Sequence, residues 1–255
     1  MPMYQFGAGT LWGVRTDINS PTYTATPVKF GALQDVSLEF SATTKELFGG
    51  SQFPLAIARG TSKITGKAKT GLLHGRLIGE LFFGASLVNG RTSVTANGVA
   101  YNIPAASTYT ITPAVTIVDD LGVTFGDTGA SLRRVVSSPV GGQYTVNEAT
   151  GVYTFFSGDA GKDVRLSYTY TATSGQSFVV TNKPLGIQPV FKAVLETSYT
   201  APDGIKAASV KLNACVSSKL TVPTKQEDFL VSEFDFSAFA DASGEVATFN
   251  FSEMS

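Results

Sequence analysis

One cysteine, Cys215, and one histidine, His74, are all the chain holds of the two residue types that most often bind metals or serve nucleophilic chemistry. A lone cysteine closes no disulfide within its own chain, and one His with one Cys falls short of a zinc set. Cys215 stands in an alternating strand pattern, where a buried structural thiol is expected. His74 lies inside a helical pattern with no nucleophile elbow nearby, so a Ser-His-Asp triad lacks support. Charge is scarce too: 15% of residues carry it, against a usual figure of about 25%. Such a surface suits either one covered by neighbours or an all-β chain rich in Thr and Ser. With a net charge of -1 and a pI of 5.9, no basic excess exists to grip phosphates. No run reaches the roughly 18 apolar residues of a membrane span. The opening MPMYQFGAGTLWG lacks a charged n-region and an apolar core of roughly 7–15 residues, so no secretory signal is expected and assembly in a cytoplasm is.

Other chemical motifs are near misses. Gly7 to Gly13 is a glycine cluster with the wrong spacing for a dinucleotide fingerprint. Gly60 to Lys67 resembles a phosphate loop but has one residue too many, and Ala68 stands where Ser or Thr is required. Asp119, Asp120 and Asp127 suit turn formation or calcium, without EF-hand spacing. The sequence therefore predicts no enzyme, no cofactor and no metal.

What is present is strand periodicity. From Gln34 the chain alternates: Val36, Leu38 and Phe40 against Asp35, Ser37 and Glu39. A glycine-punctuated loop is expected from Thr43 to Gly60, then a second alternating strand with Lys63, Lys67 and Lys69 on one face. The period then becomes helical, with Leu73, Leu77 and Leu81 in one stripe and Ile78 and Phe82 beside it. Gly71, Gly75 and Gly79 share another face of that helix. They fit either a poorly formed helix held by tertiary contacts or a smooth face for a close backbone. Residues 1–28 read as a lead-in, with a short strand at Leu11–Val14, a turn at Asn19-Ser20-Pro21 and an exposed arm or edge strand from Thr22 to Val28.

Between residues 88 and 175 the chain becomes rich in Thr, Val and Tyr, and turn signals recur. Seven strands are expected: Val94–Asn102, Tyr109–Val118, Val123–Phe125, Leu132–Val136, Gln143–Val146, Val152–Phe156 and Asp163–Thr171. They suit a small β-sandwich inserted into a discontinuous domain of residues 1–87 and 176–255. The second part of that domain predicts strands over 187–199 and 210–222, with a turn at Asp203-Gly204. Closing strands follow at 233–238 and 246–251.

Several short motifs resemble the tail tube (major tail) proteins of tailed bacteriophages. They are the strand Asp35–Ala42, Lys45-Glu46-Leu47, Gln52-Phe53-Pro54, Ile64-Thr65-Gly66-Lys67-Ala68, Glu80-Leu81-Phe82-Phe83-Gly84 and Ala240-Asp241-Ala242-Ser243-Gly244. Gly151–Phe155 through Tyr170 is similar to Ig-like modules of phage structural proteins. The plainest tube subunits lack such an insertion. The resemblance implies a mainly β fold of two packed sheets with one flanking α-helix, plus the inserted β-sandwich. It implies a virion protein that forms stacked, six-membered rings whose strands join into one barrel around passing genomic DNA. Implied partners are further copies of itself, the tape measure and terminator, and sheath or baseplate proteins, with no membrane. The loop with Lys45, Phe48, Gly49, Gly50 and Phe53 becomes the inter-ring contact, its glycines allowing unusual backbone angles; Phe48 and Phe53 folding onto their own core is the alternative. Asp35, Glu39, Glu233 and Asp235 become lumen-facing acids that keep DNA from sticking. Their alternative is ion pairing with Lys63 and Lys67. A different reading makes the chain a tail-tip or decoration protein whose β-sandwich binds a host-surface glycan or protein through exposed tyrosines.

Overall fold

The computed structural model describes residues 4–5, 7–17, 25–72, 74–89, 92–106, 108–110, 116–201, 204–224 and 226–252. The expected turn at 19–21, residues 22–24 of the expected arm, Leu73 of the leucine stripe and Asp203 lie outside them. The fold is mainly β. The opening strands are β1 (Tyr4–Gln5), β2 (Thr10–Arg15), β3 (Val28–Lys29), β4 (Leu33–Phe48) and β5 (Pro54–Thr70). Then come β6 (Val88–Asn89), β7 (Thr92–Asn102), β8 (Thr108–Thr110), β9 (Ile117–Phe125), β10 (Arg133–Arg134), β11 (Gln143–Asn147), β12 (Val152–Phe155), β13 (Asp163–Ala172) and β14 (Gln176–Ser177). The chain closes with β15 (Phe191–Ala201), β16 (Gly204–Thr221), β17 (Ser232–Phe239) and β18 (Ala247–Phe251). Contacts divide the chain into two units, Met1–Leu87 with Phe178–Ser255, and Val88–Ser177.

The first unit holds one large antiparallel sheet in the order β3-β2-β15-β16-β17-β5-β4, with β1 beside β15 and β18 beside β16. Two separate packed sheets were expected; a single ladder network is found. The reason lies in β16, whose 18 residues pair with β15 on one side and with both β17 and β18 on the other. The sheet also curls: Phe40 of β4 and Phe249 of β18 meet at 5.6 Å between ring centroids, although no ladder joins those strands. Its inner face carries Leu11, Phe191, Leu212, Phe234 and Phe236 in one buried cluster with Phe30, Leu77 and Leu81. Phe234 lies 5.4 Å from Phe30 and 5.9 Å from Phe191, edge to face. Burying each such side chain stabilises the unit by roughly 1.5–3 kcal/mol.

The flanking helix is shorter and wider than expected. Only Gly75 and Arg76 are α-helical, and Leu77–Phe82 is a π-type turn in which the Phe83 amide donates five residues back to the Ile78 carbonyl, at 3.1 Å. Leu77 and Leu81 are fully buried, as the stripe requires. One residue of the glycine face is closely packed. A Cβ on Gly79 would lie 3.0 Å from Leu87 and 3.2 Å from Phe178, the residues that flank the two crossings into the second unit. Among the described residues no backbone comes into tight contact with this face: only at Gly79 is the approach tight, and there the neighbours are the chain's own side chains, which fits the short helix held by tertiary contacts.

The expected Thr43–Gly60 loop is not a loop. β4 and β5 continue through it as one long hairpin, paired from Leu33↔Thr70 to Phe48↔Pro54, with only residues 49–53 turning. Gly60 does not end the strand. A Cβ there would come 2.6 Å from the Thr43 hydroxyl, and the register shifts between Ala42 and Thr44, so it sits at a bulge that redirects the ribbon. The β-branched and aromatic residues Thr43, Thr44, Phe48 and Ile57 supply the strand preference.

In the second unit two small sheets, β7-β13-β9 and β10-β11-β12-β8, share one apolar cluster that includes Ile117, Val123, Tyr144, Tyr153, Phe155, Leu166 and Tyr168. The expected strands Tyr109–Val118 and Val123–Phe125 are drawn differently: β8 ends at Thr110, and β9 runs from Ile117 through Gly122 to Phe125. Residues 111–115 lie outside the described residues. A two-stranded ladder, β6 with β14, begins and ends this unit.

Candidate assembly surface

Three features of the first unit bear on partners: an outward sheet face, a projecting ribbon, and a loop at the opposite end of the same strands. The outward face comes from simple alternation. Because Phe234 and Phe236 point into the core, Glu233 and Asp235 point out. Register then sets the rows. Asp35 and Glu233 both stand opposite Lys69, and Asp235 stands opposite Lys67 on one side and Lys219 on the other. Acidic strands β4 and β17 thus alternate with strands β5 and β16, which carry lysines. The four acids Asp35, Glu39, Glu233 and Asp235 share the face with Lys63, Lys67, Lys69 and Lys219, so the patch carries no net charge.

The pairing partners differ in part from those expected. Lys67 Nζ lies 3.0 Å from Glu233 Oε2, and Lys69 Nζ lies 3.9 Å from Asp35 Oδ2. Lys63 makes no ion pair among the described residues, nor do Glu39 and Asp235. The hydrogen bond from Lys67 holds the Glu233 carboxyl below the usual glutamate range, and the same bond raises the Lys67 ammonium. Asp235 Oδ1 is shielded from solvent and has no hydrogen-bond partner among the described residues.

The ribbon is the outer part of the β4–β5 hairpin. β17 accompanies β5 only from Ile64 to Thr70, so residues 54–63 have β4 alone beside them. Lys45, Phe48, Gly49, Gly50 and Phe53 cluster at and near its tip, and all are exposed. Phe48 is 56% and Phe53 78% exposed, so neither ring folds back onto the core. Leu47, Leu55 and Ile57 are 61–70% exposed as well. The glycines do something other than expected. Neither Gly49 nor Gly50 has a positive φ; a Cβ on Gly49 would meet Leu55 at 2.8 Å, and Gly50 faces open space. Leu47 stands opposite Ala56 on one face and Ile57 opposite Glu46 on the other. Both faces therefore carry apolar side chains, and neither is covered. Hydrogen-bonding edges are open too: among the described residues, β4 is the last strand of the sheet along all 16 of its residues.

The third feature was not anticipated. Residues 222–231 connect β16 to β17 and leave Phe229 91% exposed, with Leu230 and Val222 nearly half exposed. No periodicity marks this segment. Its only signal is the apolar run Phe229-Leu230-Val231 directly after Glu227 and Asp228.

The remaining candidates resolve as structure. Cys215 is fully buried, and burial pushes its thiol up to about 12, so it stays protonated and unreactive. Among the described residues no group of three or more metal-ligating side chains forms. Of the second unit's tyrosines, Tyr144, Tyr153 and Tyr168 are buried, and Tyr101 and Tyr170 are half-buried. Asp120, read as a turn or calcium residue, is instead a buried acceptor. Its side chain is 1% exposed and takes hydrogen bonds from Tyr144 Oη at 2.7 Å, Tyr153 Oη at 3.1 Å and the Gly122 amide at 3.2 Å. Burial raises both phenols, followed by the hydrogen bond to Asp120 for Tyr144 and by the Asp120 charge for Tyr153. This network ties β9 to β11 and β12, a link set by the packing of two sheets and invisible in local sequence.

No protein-family model matches the chain, and no curated protein matches it as a relative.

Proposed function

We propose that the chain is a structural subunit of a phage tail tube, which assembles as stacked rings, six-membered by the resemblance, around a channel for genomic DNA. One observation carries this reading: a two-stranded ribbon with apolar side chains on both faces and, among the described residues, open edges and no partner within its own subunit. A ribbon of that kind is marginal alone in water and gains its stability from burial against other chains. A surface of this character on a repeating subunit favours self-assembly, because joining copies covers the ribbon and completes the sheet edges at once. The ribbon tip, with Lys45, Phe48, Gly49, Gly50 and Phe53, then makes contact between rings.

In the same reading Asp35, Glu39, Glu233 and Asp235 face the channel with lysines set between them. Such a wall carries local charge without a net field, so it neither grips phosphate nor opposes it strongly. The second unit is an Ig-like ornament in this reading, and the channel is built by the first unit alone. Tape measure, terminator and sheath or baseplate proteins complete the set of partners. Negative-stain microscopy of the purified protein tests the proposal. Rings or long hollow tubes are expected, and single subunits at high concentration would overturn it.

A further inference from the structure

We infer that the ribbon of one subunit docks on the 222–231 loop of the next, so that copies join head to tail. This rests on the tube reading and names the receiving surface that the reading lacks.

The argument begins with strand direction. β5 runs 17 residues from Pro54 to Thr70, about 56 Å at roughly 3.3 Å per residue. Its first residues form the ribbon. Its last residue, Thr70, stands opposite Ser232, where β17 emerges from the 222–231 loop. The loop also follows Thr221, which pairs with Glu233. Ribbon tip and loop therefore lie at opposite ends of the same strands. Each end exposes large apolar side chains: Phe48, Phe53, Leu55 and Ile57 at one, Phe229 and Leu230 at the other.

Two unlike apolar patches at opposite poles cannot satisfy each other within one rigid subunit. They do so between copies related by translation along the strands, a heterologous contact that repeats without closing. Charge agrees with this pairing. Ribbon residues 42–61 contain Lys45 and Arg59 with Glu46, a net +1, and loop residues 222–231 contain Glu227 and Asp228 with Lys225, a net -1. Two ribbons meeting each other would instead bring like charge together.

The test is disulfide trapping. Cys215 is buried and does not compete. Ser51→Cys at the ribbon tip and Gln226→Cys in the loop are both exposed positions, so folding is not at risk. With both changes in one chain, oxidation of the assembled protein is expected to give a covalent ladder at multiples of 26.8 kDa. Each single variant is expected to stay monomeric on a denaturing gel. Mixing the two single variants before assembly is expected to give dimers and nothing larger. A dimer from Ser51→Cys alone would mean ribbon meets ribbon and would overturn the inference. Tubes that form normally while no variant cross-links would also overturn it, yet leave the tube reading standing. Wild-type protein that never assembles would remove the tube reading and this inference with it.

Discussion

Replacing Leu47, Leu55 and Ile57 by serine separates folding from assembly more cleanly than any other change in the chain. Each side chain is 61–70% exposed in the subunit. Full burial of such a residue is worth roughly 1.5–3 kcal/mol, and about two thirds of that remains to be gained in an assembly. The triple variant therefore forfeits about 3–6 kcal/mol per contact, or ~10²- to 10⁴-fold in association at tenfold per 1.4 kcal/mol. Within the subunit the same atoms touch little, and surface changes of this kind stay within about 0.5 kcal/mol. Calorimetry of the variant below its assembly concentration should show an unchanged melting temperature. Light scattering should show the concentration for tube formation raised by at least ~10²-fold. If tubes form at the wild-type concentration, the ribbon is not buried on assembly. If the subunit instead melts several degrees lower, the ribbon packs on its own chain, and the reasoning fails at its first step.

Asp120→Ala strands the hydroxyls of Tyr144 and Tyr153, each costing about 1–3 kcal/mol when buried without a partner; calorimetry should show the second unit melting lower while the first is unaffected. Gly66→Ala places a Cβ against the Phe236 ring and should cost about 1–3 kcal/mol through overpacking, whereas Gly50→Ala, in open space, should leave denaturant midpoints unchanged. The Glu233 carboxyl should titrate below an ordinary glutamate by NMR and return toward it in Lys67→Met. The pair's support is present above the unfolded glutamate pKa and is lost as pH falls through the lowered one. At the basic end it is lost as pH rises through the raised lysine value. Replacing residues 90–175 with Asn-Gly joins Asn89 directly to Gln176, its ladder partner, through a two-residue hairpin, and tubes should still form by microscopy.

Alternation made much of the large sheet legible. Wherever a strand has one buried face, period two names that face, and so the outward positions of Glu233 and Asp235 followed from Phe234 and Phe236. The ribbon broke the rule because neither of its faces is buried. Leu47, Leu55 and Ile57 fit no single-sided pattern, and Gly49, Gly50 and Gly60 read as loop punctuation. Two of those glycines serve close contacts with Leu55 and Thr43 instead. The helix misled for a related reason. Its leucine stripe was readable, and its glycines marked room for a neighbour, but nothing local to the helix names Leu87 and Phe178 as the side chains that pack on Gly79 or shows the wide turn at Leu77–Phe82. Pairing partners on the acidic face were half readable. Sequence gives the lysines of β5 one common face, and only the register decides that Lys69, rather than Lys63, lies beside Asp35.

The two surfaces of the first unit obey opposite electrostatic rules, and the contrast bears on how copies combine. On the outward sheet face, acids and lysines neutralise one another within the subunit, so a neighbour gains little by adding charge there. The ribbon and the 222–231 loop differ from that face: by formal count one end is net positive, the other net negative, and both are apolar. A subunit built to remain single would keep Phe53 and Phe229 inside. This chain places compensation along the wall and incompleteness at the poles. In the proposed tube, growth along the strand direction is then the way a second copy lowers the free energy most, and the neutral wall is the surface that would face the channel.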